Sequence, residues 1–184
     1  MIIGLCGKSC SGKTTLANDL IDIYGGNGIH VDIDKIGHKA LTVPEIKKKL
    51  IEVFGDITTD GEIDRKKLGP IVFSSDTEMD KLTGITWEYM EKEIDRIITE
   101  NEDKIVILDW QLLPKSKFLK EADITILLDV DYETRKKRAL ERDNITEEKF
   151  DLREQASIDY DKSSFDLVLN EVNYEKLKEM VKRI

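Results

Sequence analysis

The sequence predicts an α/β protein, a three-layer α/β/α sandwich built around a parallel five-stranded sheet. Three observations carry that prediction. Short, nearly continuous apolar runs recur along the chain, and several of them end in aspartate. Continuous rather than alternating apolar runs mark parallel strands covered on both faces. Helix-patterned stretches separate these runs, as the crossovers of a parallel sheet require. The first run also leads into Gly7-Lys8-Ser9-Cys10-Ser11-Gly12-Lys13-Thr14, which is G-x-x-x-x-G-K-T placed between a strand and a helix.

Taken in order, Met1-Ile2-Ile3-Gly4-Leu5-Cys6 reads as the first strand and Thr15–Ile21 as an amphipathic helix. Tyr24-Gly25-Gly26-Asn27-Gly28 stops that helix. Ile29–Asp34 reads as a second strand whose carboxyl end carries Asp32 and Asp34. If the strand stays extended, the two acids share one side, at the end of the sheet where open α/β folds bind ligands. A capping role in the next helix is the competing reading for one of them. Pro44 opens a helix to about Phe54, Gly55–Asp60 is turn-rich, and Asp64 caps a helix with Leu68, Ile71, Val72 and Phe73. A long helical pattern runs from Thr77 to about Asn101, with Leu82, Ile85, Tyr89, Ile94, Ile97 and Ile98 as core positions. This all-helical stretch exceeds what a simple crossover needs and is expected to hold a substrate-binding region. Lys104–Asp109 and Asp123–Asp129 are the third and fourth strands. Helices follow from Tyr132 to Arg142 and from Thr146 to about Tyr160. Phe165–Leu169 is the fifth strand and Tyr174–Arg183 a closing helix.

Composition bounds the rest. With 184 residues, 40% hydrophobic and 36% charged, the chain is expected to form one soluble domain, residues 1–184. No apolar run reaches membrane-spanning length, and Met1 leads straight into a strand. The expectation is therefore a cytoplasmic protein with no signal peptide and no membrane partner. A net charge of −9 argues against a nucleic-acid surface. Lys47-Lys48-Lys49 reads as a solvated helix face. Cys6 and Cys10 are too few for a disulfide framework. Cys6 reads as a small buried hydrophobe, whereas Cys10 lies in the loop, where N–H groups would lower its pKa. His30 and His38 add no zinc spacing.

The loop carries the chemistry. Gly7 and Gly12 let the backbone curl so that N–H groups from Gly7 through Ser9, Cys10, Ser11 and Gly12 to Lys13, Thr14 and Thr15 converge on an anion. The helix dipole points at the same spot. Lys13 is placed to reach β- and γ-phosphates, and the Thr14 hydroxyl to ligate Mg²⁺. Lys8 is the oddity of the loop, directed either to phosphate or to solvent. Phosphoryl transfer further needs an acid to orient the nucleophile and cations for the developing charge. Asp34 is favoured as that acid over Asp32 and Asp109. Asp109 instead suits the water shell of Mg²⁺, or is a polar strand end. Arg138 and Arg142, four apart, share a helix face that Arg135 extends. They suit a clamp over phosphates, or an exposed helix paired with Glu133 and Glu141.

Beyond the loop, the chain resembles the dephospho-coenzyme A kinase family of P-loop kinases from about Ile3 to Asn170. The resemblance rests on Gly4-Leu5 before the loop, Val31–Ile36, Val53–Ile57, Gly61–Leu68 and Ile71-Val72-Phe73. It continues in Leu108-Asp109, Leu112-Leu113, Arg138, Arg142-Asp143, Gln155 and Asp166–Asn170. The resemblance implies a P-loop kinase fold with a helical acceptor-binding insert at about 43–101 and a lid at about 132–160. It implies transfer of the ATP γ-phosphate to the ribose 3′-hydroxyl of dephospho-coenzyme A. Asp34 would take the hydroxyl proton, Arg142 would act from the lid, Arg65 would lie on the acceptor side, and Asn170 near the adenine. The chain departs from the family pattern at Cys6-Gly7-Lys8, Trp87-Glu88 and Trp110-Gln111. A P-loop kinase with another small hydroxyl acceptor is the second expectation, and a nucleotide-binding regulator without turnover is the third.

Overall fold

In the computed structural model, residues 1–143, 145–155 and 157–181 are described. The chain divides into two compact units, Met1–Asp32 with the chain from Asn101 onward, and Ile33–Glu100. The first contains a five-stranded sheet of β1 (Ile2–Cys6), β2 (Gly28–Asp32), β5 (Ile105–Asp109), β6 (Ile124–Leu128) and β7 (Leu167–Leu169). The strand order is β2-β5-β1-β6-β7, with every pairing parallel. All residues of β5 and β6 are buried, as their unbroken apolar runs require. In the core, Ile3, Leu5, Ile107 and Ile126 pack with Leu16 and Leu20 of α1 (Lys13–Ile23) and with Leu177 of α9 (Tyr174–Val181). Each such side chain contributes roughly 1.5–3 kcal/mol of transfer free energy.

Side chains finish the sheet where its ladders stop. Asp166 accepts from the Thr125 amide and hydroxyl at 2.7 and 2.8 Å, and Asp123 accepts from the Ile2 amide at 2.6 Å. The last strand is accordingly shorter than the Phe165–Leu169 expectation, because Asp166 caps it rather than continuing it. Between strands lie α6 (Phe118–Glu121), α7 (Tyr132–Asp143) and α8 (Glu147–Gln155). Helix α8 ends five residues before the expected Tyr160. The closing helix is described as far as Val181, and the expected end at Arg183 lies outside the described residues.

The second unit comprises α2 (Ile33–Ala40), α3 (Pro44–Phe54), α4 (Arg65–Val72) and α5 (Asp76–Glu100), with a hairpin of β3 (Thr58–Thr59) and β4 (Glu62–Ile63). Its core gathers Ile46 and Leu50 of α3, Ile57, and Leu68 and Val72 of α4, with Leu82, Ile85 and Tyr89 of α5 against them. Asp64 caps α4, its side chain accepting from the Lys66 amide at 2.8 Å. The segment Gly55–Asp60, expected to be turn-rich, holds the first strand of this hairpin. Asp60 and Gly61 both take positive φ, 51° and 80°, the pairing that suits a two-residue hairpin turn. One strand expectation fails: Ile29–Asp34 is not extended to its end. Strand β2 stops at Asp32 because Ile33, Ile36 and Ala40 are buried at helical spacing, which draws the chain into α2. Asp34 therefore lies in a helical first turn, and the shared-side argument with Asp32 does not hold.

Candidate active site

The loop between β1 and α1 folds back through positive φ at Gly7 (152°), Cys10 (62°) and Gly12 (105°). A Cβ on Gly7 would stand 2.7 Å from the Leu128 carbonyl oxygen and 2.9 Å from Ser11 Oγ, so only glycine lets the loop lie against the end of β6. Gly12 caps α1 in the left-handed conformation, and its carbonyl accepts from the Leu16 amide at 3.0 Å. The amides of the first helical turn have no partner within a helix and can face an anion. Lys13 Nζ donates to the Gly7 carbonyl at 3.0 Å, which folds the side chain back across the cradle. Ser11 Oγ, fully buried, is without a hydrogen-bond partner among the described residues. A hydroxyl left incomplete inside the loop fits a cradle whose polar groups are completed by a ligand.

Asp109, at the carboxyl end of β5 and 8% exposed, faces this loop. Its carboxylate lies 3.8 Å from Lys13 Nζ and 3.1 Å from His30 Nε2. Asp32 is its register partner on β2. Thr14 is exposed in the first turn of α1. Among the described residues, no cluster of three or more His, Cys, Asp or Glu could hold a metal ion. Magnesium beside nucleotide phosphates needs only one or two protein oxygens, and Thr14 and Asp109 are the side chains here that could offer them.

Helix α7 supplies the cations. Arg138 Nη1 donates to the Ser11 carbonyl at 2.8 Å, and Arg142 Nη2 sits 3.4 Å from Cys10 Sγ. Asp143 pairs with Arg142 at 2.7 Å, which raises the guanidinium pKa and lowers that of the carboxyl. Cys10, Gly12, Thr15, Arg138, Glu141, Arg142 and Val172 line a groove of about 510 Å³. Arg135 turns elsewhere. It is 3% exposed and pairs with Glu154 of α8 at 2.7 Å. Glu154 and Asp143, rather than the expected Glu133 and Glu141, pair with Arg135 and Arg142 among the described residues. Phe150 of α8 is buried against Cys10 and Ala139, so an apolar plug seats α8 on the loop. Lys8 points neither to a phosphate position nor to open solvent, because Glu154 holds its ammonium at 2.9 Å. Cys6 is buried beneath the loop, which pushes its thiol up to about 11.

The structure thus brings the loop residues Gly7 through Thr15 together with Asp109, Arg138 and Arg142. Asn170 is exposed just after β7, two residues before the groove residue Val172. Asp34 and Arg65 belong to the other compact unit, exposed in the first turns of α2 and α4. Sequence reasoning missed Val172, His30 and Glu154. The loop after the last strand signals Val172, since ligands lie beyond strand ends. The i, i+2 spacing of His30 and Asp32 on β2 signals His30. Nothing in the sequence couples Glu154 to Lys8, 146 residues away.

A family model for dephospho-CoA kinase matches residues 1–175. The chain belongs to the dephospho-CoA kinase family. A dephospho-CoA kinase of Fusobacterium nucleatum is 35% identical over 151 residues, covering 80% of this chain and 76% of its own. The dephospho-CoA kinase of Aquifex aeolicus is also 35% identical, over 82% of this chain and 77% of its own. Among solved structures, TT1252 from Thermus thermophilus shares the fold with a TM-score of 0.81 at 22% identity, over 100% of this chain and 97% of its own. Membership of a dephospho-CoA kinase family makes the chain a kinase and a nucleotide-binding transferase. No helix among the described residues is long and apolar enough to cross a membrane.

Proposed function

We propose that the chain transfers the γ-phosphoryl group of ATP to the ribose 3′-hydroxyl of dephospho-coenzyme A, the last step of coenzyme A synthesis, in the cytoplasm. The observation that carries this reading is the convergence of the glycine loop, Arg138 and Arg142 around one groove, with Lys13 folded back onto the same loop. Lys13 and the loop amides hold the β- and γ-phosphates, with Asn170 on the adenine side. Thr14 and Asp109 would hold Mg²⁺, which would supply positive charge to offset that of the phosphates. Asp34 accepts the proton of the acceptor hydroxyl as its oxygen bonds to the γ-phosphorus. The bond from that phosphorus to the β–γ bridging oxygen breaks, and ADP leaves. Arg138 and Arg142 offset charge on the transferring group. Arg65 belongs to the acceptor side, within the Ile33–Glu100 unit, and residues 132–160 act as a lid. No nucleic acid or membrane partner is needed for this activity.

The departures at Trp87-Glu88 and Gln111 favour one second reading, the same chemistry on another small hydroxyl acceptor. A coupled assay of ADP release separates the two. Dephospho-coenzyme A is compared with a panel of nucleosides and nucleoside monophosphates. Stimulation by dephospho-coenzyme A is expected. Its absence, with clear stimulation by another acceptor, would sink the first reading in favour of the second.

A further inference from the structure

A phosphate loop that works through backbone N–H groups has no need of a long side chain at its second position, yet Lys8 stands there. Its ammonium is not left to solvent. Glu154, near the end of α8, accepts from Lys8 Nζ at 2.9 Å. The same carboxylate accepts from Arg135 Nη1 at 2.7 Å and from Nη2 at 2.9 Å. Arg135 in turn donates Nε to the Val130 carbonyl at 2.9 Å and lies 3.5 Å from the Ser9 carbonyl. The Phe150 ring of α8 sits 5.9 Å from its guanidinium carbon. Three segments therefore meet on one carboxylate: the phosphate loop, the first turn of α7 and the last turn of α8. The two cations hold the Glu154 carboxyl below its ordinary range, Arg135 more than Lys8, so the node stays ionised at neutral pH.

What this node can do follows from helix geometry. Arg138 and Arg142 follow Arg135 by three and seven residues on α7, about one and two turns further along. Both reach the loop, at the Ser11 carbonyl and at Cys10 Sγ. Anchoring Arg135 to the loop therefore sets the height at which the other two guanidiniums stand over the groove. We infer that Glu154 is a positioning residue: by joining Lys8 and Arg135, it keeps the arginine helix in register with the phosphate loop and so places Arg138 and Arg142 for phosphoryl transfer. Without the carboxylate, Arg135 becomes a buried cation lacking its counter-charge, a costly state that α7 relieves by shifting. A misplacement of about 1 Å at a transferring group is worth up to about 10²-fold in rate.

The inference rests on the kinase reading above, and the experiment keeps the two apart. Wild-type ADP release with dephospho-coenzyme A tests the reading, while the variants are compared with wild type on whichever acceptor the wild type uses. Glu154→Ala is expected to lower kcat by about 10- to 100-fold, with the Kd for ADP, measured by titration without turnover, changed by less than about threefold. Glu154→Gln, which keeps one acceptor oxygen, recovers part of the lost rate. Lys8→Ala lowers kcat several-fold at an unchanged melting temperature, and adds nothing in the Glu154→Ala background. Wild-type kcat in folded Glu154→Ala overturns the inference, as does a parallel loss of ADP affinity. If Glu154→Ala fails to fold, wild-type kcat in Lys8→Ala overturns it alone.

Discussion

Replacing Gly7 by alanine tests how the phosphate loop is held. At Gly7, with φ of 152°, an added Cβ would lie 2.7 Å from the Leu128 carbonyl oxygen, 2.9 Å from Ser11 Oγ and 3.4 Å from Leu128 Cβ. Leu128 cannot retreat, because β6 is paired on both sides, with β1 and with β7. The loop must therefore move. A side chain in this sparsely populated backbone region costs about 1–3 kcal/mol, and overpacking adds about 1–3 kcal/mol. Movement of the loop relieves part of that sum, leaving about 2 kcal/mol. The movement also turns loop amides away from the anion and disturbs the Lys13 bond to the Gly7 carbonyl. If about 2 kcal/mol falls on binding, ADP affinity drops about 30-fold. If it falls on folding, the melting temperature drops by about 4–8 °C for a chain of this size. ADP titration and thermal unfolding of the same preparation measure both. Gly25→Ala is the control, since Gly25 has φ of 77° but nothing within 4 Å of the added Cβ. It carries the backbone cost alone and should leave ADP affinity unchanged. Wild-type affinity and melting temperature in Gly7→Ala would refute the reasoning.

Asp34→Asn should leave ADP affinity unchanged and reduce turnover by about 10²- to 10⁴-fold, as loss of a general base does; normal turnover would move that role to Asp32 or Asp109. Arg138→Ala removes the bond to the Ser11 carbonyl and a groove cation, and should cost about 10²-fold in kcat/KM for ATP; an unchanged value in steady-state kinetics would exclude Arg138 from the site. The Cys6 thiol titrates near 11 in the folded chain against 9.0 for an ordinary thiol. The unfolded chain loses that proton first, so stability is fully present below about pH 9 and falls by about 2–3 kcal/mol as the pH rises towards 11. Urea unfolding of wild type and Cys6→Ala at both ends of that range measures the difference, and parallel pH dependence in the two would refute it.

Much of this was legible beforehand because it depends on short-range pattern. The unbroken apolar runs of β5 and β6 identify buried parallel strands. The spacing from Gly7 to Thr14 allows one backbone arrangement between β1 and α1, and Asp64 caps α4 as its residue type and position suggest. Reading failed where two periodicities competed. Ile33 extends the apolar run of β2 and also opens the helical stripe of Ile33, Ile36 and Ala40, and burial along that stripe won. The hairpin of β3 and β4 was missed because each strand has two residues, too few to show alternation.

By itself, then, the sequence determined the sheet, the phosphate loop, the arginines of α7 and the family, since each is written in residues close together in the chain. Only the tertiary structure decided which partner each charge takes. Arg135 and Arg138 look alike on one helix stripe, yet one is drawn into Glu154 and the other onto the loop. Lys8 finds its carboxylate 146 residues away. Ion pairs of this range have no periodic signature, because they are chosen by where packing sets the helices down, and Phe150 against Cys10 and Ala139 sets α8 down on the phosphate loop.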